Sequence, residues 1–112
     1  DLGKPEAVQR AADAIGQAHA RLDGLVNVAG GFAWETIADG SVETWDRLYA
    51  MNIRSALLAS QAMLPLLIQA GGAIVNISAN ASARADMGMG AYAASKSGVS
   101  RLTEALAAEL KD

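Results

Sequence analysis

The 112-residue sequence predicts an α/β fold, the middle portion of a doubly wound parallel sheet, with two parallel strands and three long helices. Three observations carry that prediction. Two short apolar runs, Leu25-Val26-Asn27-Val28 and Ala73-Ile74-Val75-Asn76-Ile77, are continuous rather than alternating, which suits buried parallel strands. Between them lies one long helical pattern, and strand, helix, strand over that distance implies a right-handed parallel crossover. Beyond the second run, a polar, glycine-rich loop opens into a helix that presents Tyr92 and Lys96 four residues apart, on one face.

Taken in order, Pro5 suits a first helical turn, and Val8, Ala11, Ala12, Ile15, Ala18 and Leu22 recur at helical spacing. A helix is therefore expected from Pro5 to about His19. His19, the one histidine, sits at its polar end and reads as a solvated residue near a helix C-terminus. Gly24 ends that element, and the first strand leads to Ala29-Gly30-Gly31, where small residues let a ligand approach the backbone closely or simply meet the needs of a turn. Phe32 to Gly40 form a loop whose aromatics, Phe32 and Trp34, either line an apolar substrate pocket or pin the loop to the core.

Ser41 reads as an N-cap, with Glu43 in the first turn where negative charge is favoured. From Val42 to about Ala70 the pattern is helical, and beyond Ala56 its apolar face is nearly continuous, which predicts burial on more than one side. Asn52 interrupts this helix as a poor helix former, and Pro65 should add a second bend. Gly71-Gly72 stop it before the second strand, and a last helix is expected from Ala91 toward Lys111, with small residues that allow close packing. The ends of both strands, Asn27 to Gly31 and Ser78, should lie at one carboxyl edge of the sheet, where ligands bind in open α/β folds.

Composition narrows the function classes. The chain is 52% hydrophobic and 19% charged with a net charge of −3, an ordinary globular balance without a basic stripe for nucleic acid or anionic membrane. With no cysteine, disulfides and thiolate metal sites are excluded, and no metal site is expected. The most apolar run, Ala56 to Ile68, is interrupted by Ser60, Gln61 and Pro65 and is too short for a membrane span. No segment reads as a signal peptide, so a soluble cytoplasmic protein is the default expectation. The chain opens at Asp1 without Met and stops inside a helical pattern at Lys111-Asp112, as part of a longer chain would.

A phenol and an ammonium held side by side form an acid/base pair. A free phenol ionises near pH ~10, and each unit gained toward neutrality requires about 1.4 kcal/mol. One positive charge about 5 Å away, at an effective dielectric of about 20, supplies roughly 3 kcal/mol. A helix N-terminus adds ~0.3–1 kcal/mol of the same sign. The Tyr92–Lys96 spacing is thus suited to general acid/base catalysis.

Tyr92-Ala93-Ala94-Ser95-Lys96-Ser97-Gly98 resembles the Tyr-x-x-x-Lys signature of the classical short-chain dehydrogenases/reductases. Further segments agree in order: Asp1-Leu2 resembles a strand-end Asp-Val pair that touches adenine. Asn27-Val28-Ala29-Gly30 is similar to an Asn-Asn-Ala-Gly motif on the cofactor's adenosine side, and Met51-Asn52-Ile53 carries the asparagine of a catalytic tetrad. The resemblance spans essentially the whole chain. It implies a Rossmann-like sheet, NAD or NADP as cofactor, and hydride transfer with a small carbonyl or alcohol substrate. By the same resemblance, Tyr92 carries the proton, Lys96 assists it and holds the nicotinamide ribose, Asn52 keeps a water relay, and Ser78 orients the substrate oxygen. Cofactor contacts are implied at Asp1, Leu2, Asn27, Ala29, Gly30, Ile77, Tyr92 and Lys96, and a homodimer or homotetramer through helices 42–70 and 91–111.

Two departures bear on activity. In Ile77-Ser78-Ala79 the register of the family's catalytic serine falls on Ala79, so Ser78 acts from one residue earlier, Ser82 reaches in from the loop, or Asn80 or a backbone group holds the oxygen. Nothing matches the glycine-rich first turn that holds a dinucleotide's pyrophosphate. The 112-residue chain expressed alone is expected to fold poorly and bind no NAD(P), since two strands do not make a stable sheet. Two other readings stand beside the enzyme: a catalytically weak cofactor-binding regulator or scaffold, motivated by Ala79, and an extended-type sugar-nucleotide epimerase or dehydratase.

Overall fold

The computed structural model describes residues 1–111, and the last helix, expected from Ala91 toward Lys111, runs over Gly90–Leu110. The elements are α1 (Pro5–Ala18), β1 (Gly24–Asn27), α2 (Val42–Tyr49), a π-helical turn (Ala50–Arg54), α3 (Ser55–Ala70), β2 (Ala73–Asn76), a 3-10 turn (Asn80–Ser82) and α4 (Gly90–Leu110). The two strands pair in parallel, Leu25 opposite Ile74 and Asn27 opposite Asn76. Backbone bonds from Ala73 to Asp23 (3.1 Å) and from Ile77 to Asn27 (3.2 Å) continue the ladder at both ends.

Pro5 occupies the first turn of α1, which buries Val8 and Ala12. Ala12 joins Met63 and Leu67 of α3 in the core, and Ile15, Leu22, Leu25 and Ile74 pack around them. His19 is the exposed C-cap residue of α1, as expected. The start of α2 is capped as predicted: the Ser41 side chain accepts from the Thr44 N–H. Glu35, on the preceding loop, adds a carboxylate there, accepting from the Thr44 hydroxyl (2.8 Å) and the Ser41 N–H (3.2 Å). α3 ends on Gly71 in the left-handed region (φ 63°), with the Gly72 N–H donating back to Leu67 O at 2.9 Å.

Strand burial departs from the expectation. The continuous apolar runs predict cover on both faces, yet only one face is covered: Leu25 and Ile74 point into the core, while Val26 and Val75 are 57% and 51% exposed. The helices contribute their apolar side chains to one side of the sheet, and nothing among the described residues packs on the other.

The helical pattern from Val42 to Ala70 forms one 29-residue helix that is long and apolar enough, by length and composition, to cross a membrane. The expected span limit set on Ala56 to Ile68 alone therefore understates it. Asn52, Ser55 and Ser60 are buried in it, and it packs on both strands, so its place here is the core. The interruption expected at Asn52 takes the form of the π turn; such turns carry one extra residue and frequently mark functional sites. Pro65 lies within α3 without ending it.

Candidate active site

The loops that follow the two strands meet at one edge of the sheet. The Glu35 N–H donates to Gly88 O (3.0 Å), joining the loop after β1 to the loop that leads into α4. α4 packs closely against the π turn at Gly98, where an added Cβ would collide with Ile53. The site assembles where this turn, the end of β1 and the first turns of α4 converge.

Asn52 is its central tie. Its Oδ1 accepts from the Gly31 N–H (2.8 Å), and its Nδ2 donates to Gly31 O (3.0 Å) and to Ser95 Oγ (2.8 Å). Ser95 in turn donates to Tyr92 O (2.7 Å), so one buried amide binds the β1 loop to the turn of α4 that carries the tyrosine. At 2% exposure this is a buried polar network with its donors satisfied. Ser95 was legible only as a letter of the motif; its role needs the fold.

Lys96 is 7% exposed, and its Nζ donates to Ile77 O at 3.1 Å, just past the end of β2. Burial lowers its pKa from the usual lysine value of 10.5, because desolvation disfavours the charged form. Gly30 lies against both groups: a Cβ there would sit 2.5 Å from Asn52 Oδ1 and 3.6 Å from Lys96 Nζ. Small size at Gly30 is thus a requirement of space. Tyr92, half-buried one helical turn before Lys96, meets the ring of Phe32 edge to face, with centroids 4.8 Å apart.

The residues expected to touch cofactor separate into groups. Asp1, Leu2, Ala29 and Gly30 line one open cleft of about 700 Å³, together with Arg47, Met51 and Arg54. Ile77 lies beside Lys96 through its carbonyl. Asn27 stands outside that cleft: its amide donates to Asn76 Oδ1 (2.7 Å) and Ser60 Oγ (3.4 Å), tying the strands to α3. Ser78 Oγ donates to Lys96 O (3.2 Å) and lies 3.2 Å from Ser100 Oγ, so its hydroxyl is spent on the backbone of α4. Asn80 and Ser82 belong to the 3-10 turn that follows the extended Ala79. A groove of about 660 Å³ at the other end of β2, lined by Leu67, Ile74, Leu106 and Leu110, holds no predicted catalytic residue. No group of histidine and carboxylate residues among those described suits a metal ion.

The sequence profile of the short chain dehydrogenase family matches residues 1–112. The chain is 38% identical over 110 residues to a D-threitol dehydrogenase of Mycolicibacterium smegmatis, covering 97% of this chain and 42% of that protein. It is 35% identical over 112 residues to carbonyl reductase [NADPH] 2 of Sus scrofa, covering 98% and 44%. The crystal structure of a gluconate 5-dehydrogenase from Burkholderia cenocepacia, in complex with NADP and tartrate, superposes with a TM-score of 0.92 at 28% identity, over 98% of this chain and 44% of that one. The chain thus spans less than half the length of these relatives. With a matching profile over its whole length and a Rossmann-type strand and helix order shared with solved relatives, the chain belongs to the short-chain dehydrogenase family.

Proposed function

We propose that the protein carrying this chain is an NAD- or NADP-dependent oxidoreductase acting on a small carbonyl or alcohol compound, with Tyr92 as proton carrier. The observation that carries this reading is a buried ammonium, Lys96, four residues and about one helical turn after Tyr92 in α4, with Ile77 O as its one hydrogen-bond partner among the described residues. An ammonium has three donors. The two that remain suit the vicinal hydroxyls of a nicotinamide ribose. The nicotinamide, when bound, supplies the hydride chemistry. Asp1, Leu2, Ala29 and Gly30 would hold its adenosine side along the cleft they share.

In this reading Tyr92 gives or takes the proton at the substrate oxygen, and Lys96 places positive charge beside the phenol as it does so. Asn52 holds the Gly31 turn and α4 at a fixed separation. Both of its amide hydrogens are committed, which leaves the second lone pair of Oδ1 and its main chain for a water relay. The exposed Trp45 (41%) and Tyr49 (49%) on the long helix support assembly as a homodimer or homotetramer.

A Tyr92→Phe change in the full-length protein tests the assignment. Turnover should fall by roughly 100- to 10,000-fold, the usual worth of a positioned acid/base, while the circular dichroism spectrum is unchanged. Retained turnover removes the mechanism. The second reading, a cofactor-binding protein of weak activity, is favoured by the commitment of Ser78 to Lys96 O and by the alanine at position 79. A folded full-length protein that binds NAD(P)H yet oxidises it with no carbonyl compound would select that reading.

A further inference from the structure

The Phe32 and Tyr92 rings meet at 69°, the edge-to-face arrangement that aromatic quadrupoles prefer. Phe32 is 55% exposed and stands on a loop, so burial alone gives it no fixed place. The loop itself is braced. Glu35 N–H is bonded to Gly88 O, and the Trp34 indole lies directly against Gly88, whose φ of 79° and lack of a Cβ the packing requires. A substitution at Gly88 would strain the backbone and drive the indole away. The brace thus joins the Phe32 loop to the segment that begins α4, two turns of chain that carry the two rings. Among the described residues no protein hydrogen bond holds the Tyr92 hydroxyl; its main-chain carbonyl is bonded by Ser95, but the ring is restrained by its aromatic neighbour.

We propose that Phe32 is a positioning residue for Tyr92: its ring sets the plane of the phenol, and so the place from which the proton is delivered, with Trp34 and Gly88 as the strut that holds Phe32. The inference rests on the reading of Tyr92 as proton carrier. Proton transfer needs donor and acceptor within hydrogen-bond reach, and a small misplacement lowers the rate without changing what binds.

The test uses the full-length protein oxidising a panel of uncharged secondary alcohols with NAD⁺ or NADP⁺, comparing wild type, Phe32→Leu, Phe32→Tyr and Tyr92→Phe. Phe32→Leu should lower kcat roughly 3- to 10-fold, the range of an aromatic pair. The KM for cofactor should stay at the wild-type value, the urea midpoint should fall by no more than about 1 M, and Phe32→Tyr, which keeps the ring, should restore kcat. Wild-type kcat in Phe32→Leu, equal losses in Phe32→Leu and Phe32→Tyr, or failure of Phe32→Leu to fold would each overturn the inference, the last by showing that the ring serves stability. An active wild type with an inactive Tyr92→Phe and an unaffected Phe32→Leu removes this inference alone. Turnover by Tyr92→Phe, or none by wild type, removes the proposed function and this inference together.

Discussion

Replacing Asn52 by alanine takes away three hydrogen bonds at once: those with the Gly31 N–H (2.8 Å), Gly31 O (3.0 Å) and Ser95 Oγ (2.8 Å). A protein hydrogen bond contributes about 0.5–1.5 kcal/mol net, so the three together are worth about 3 kcal/mol. The deleted amide is 2% exposed, so water does not readily replace it, and Gly31 is left with polar groups beside a small void. In a urea titration of the full-length protein, at an m-value of about 2 kcal/mol/M, the midpoint should drop by about 1.5 M. Asn52→Asp separates space from bonding: it keeps an acceptor for the Gly31 N–H and loses both donors, so it too should destabilise. A double-mutant cycle with Ser95→Ala should show a coupling of roughly 0.5–3 kcal/mol, the range for residues in direct contact. A loss under about 1 kcal/mol for Asn52→Ala, or strict additivity with Ser95→Ala, would refute the claim that this amide joins the β1 loop to α4.

Two further perturbations probe the same region. Burial lowers the Lys96 pKa, so between that lowered value and the unfolded value of 10.5 the folded protein binds fewer protons than the unfolded chain. Its contribution to stability therefore rises with pH through that window and is complete above 10.5; Lys96→Met should abolish this rise in urea midpoints measured across the alkaline range. Ser78→Ala removes a hydroxyl that donates to Lys96 O, so turnover should stay within about 10-fold of wild type, whereas a loss of ~100- to 1,000-fold would place that hydroxyl on the substrate oxygen.

How far the site was legible depends on the range of the interaction behind it. The Tyr92–Lys96 spacing and the Ser41 cap are contacts within a few residues, and sequence order alone specifies them. The two strands, to within a residue of their bounds, and the Gly71 stop of α3 were visible for the same reason, whereas Gly24, expected to end the first helix, is the first residue of β1 and α1 ends at Ala18. The interruption at Asn52 was visible as a poor helix former, though not as a π turn, since backbone hydrogen bonding of that kind is decided by what the side chain reaches. The loop of Phe32 and Trp34 offered two readings of equal standing. Trp34 proves to be packed on Gly88 and Phe32 on Tyr92, partners 54 and 60 positions further along the chain that no local pattern names.

The sequence by itself determined the parallel α/β character, the helix boundaries and the pairing of a phenol with an amine, because periodicity, caps and i, i+4 spacing act over one or two turns of chain. Only the tertiary structure decided that Ser78 turns to the backbone of α4 and that Asn27 ties strands together outside the cleft. Each of those depends on which distant groups compete for a hydrogen-bonding atom, and that competition exists only once the chain has closed on itself.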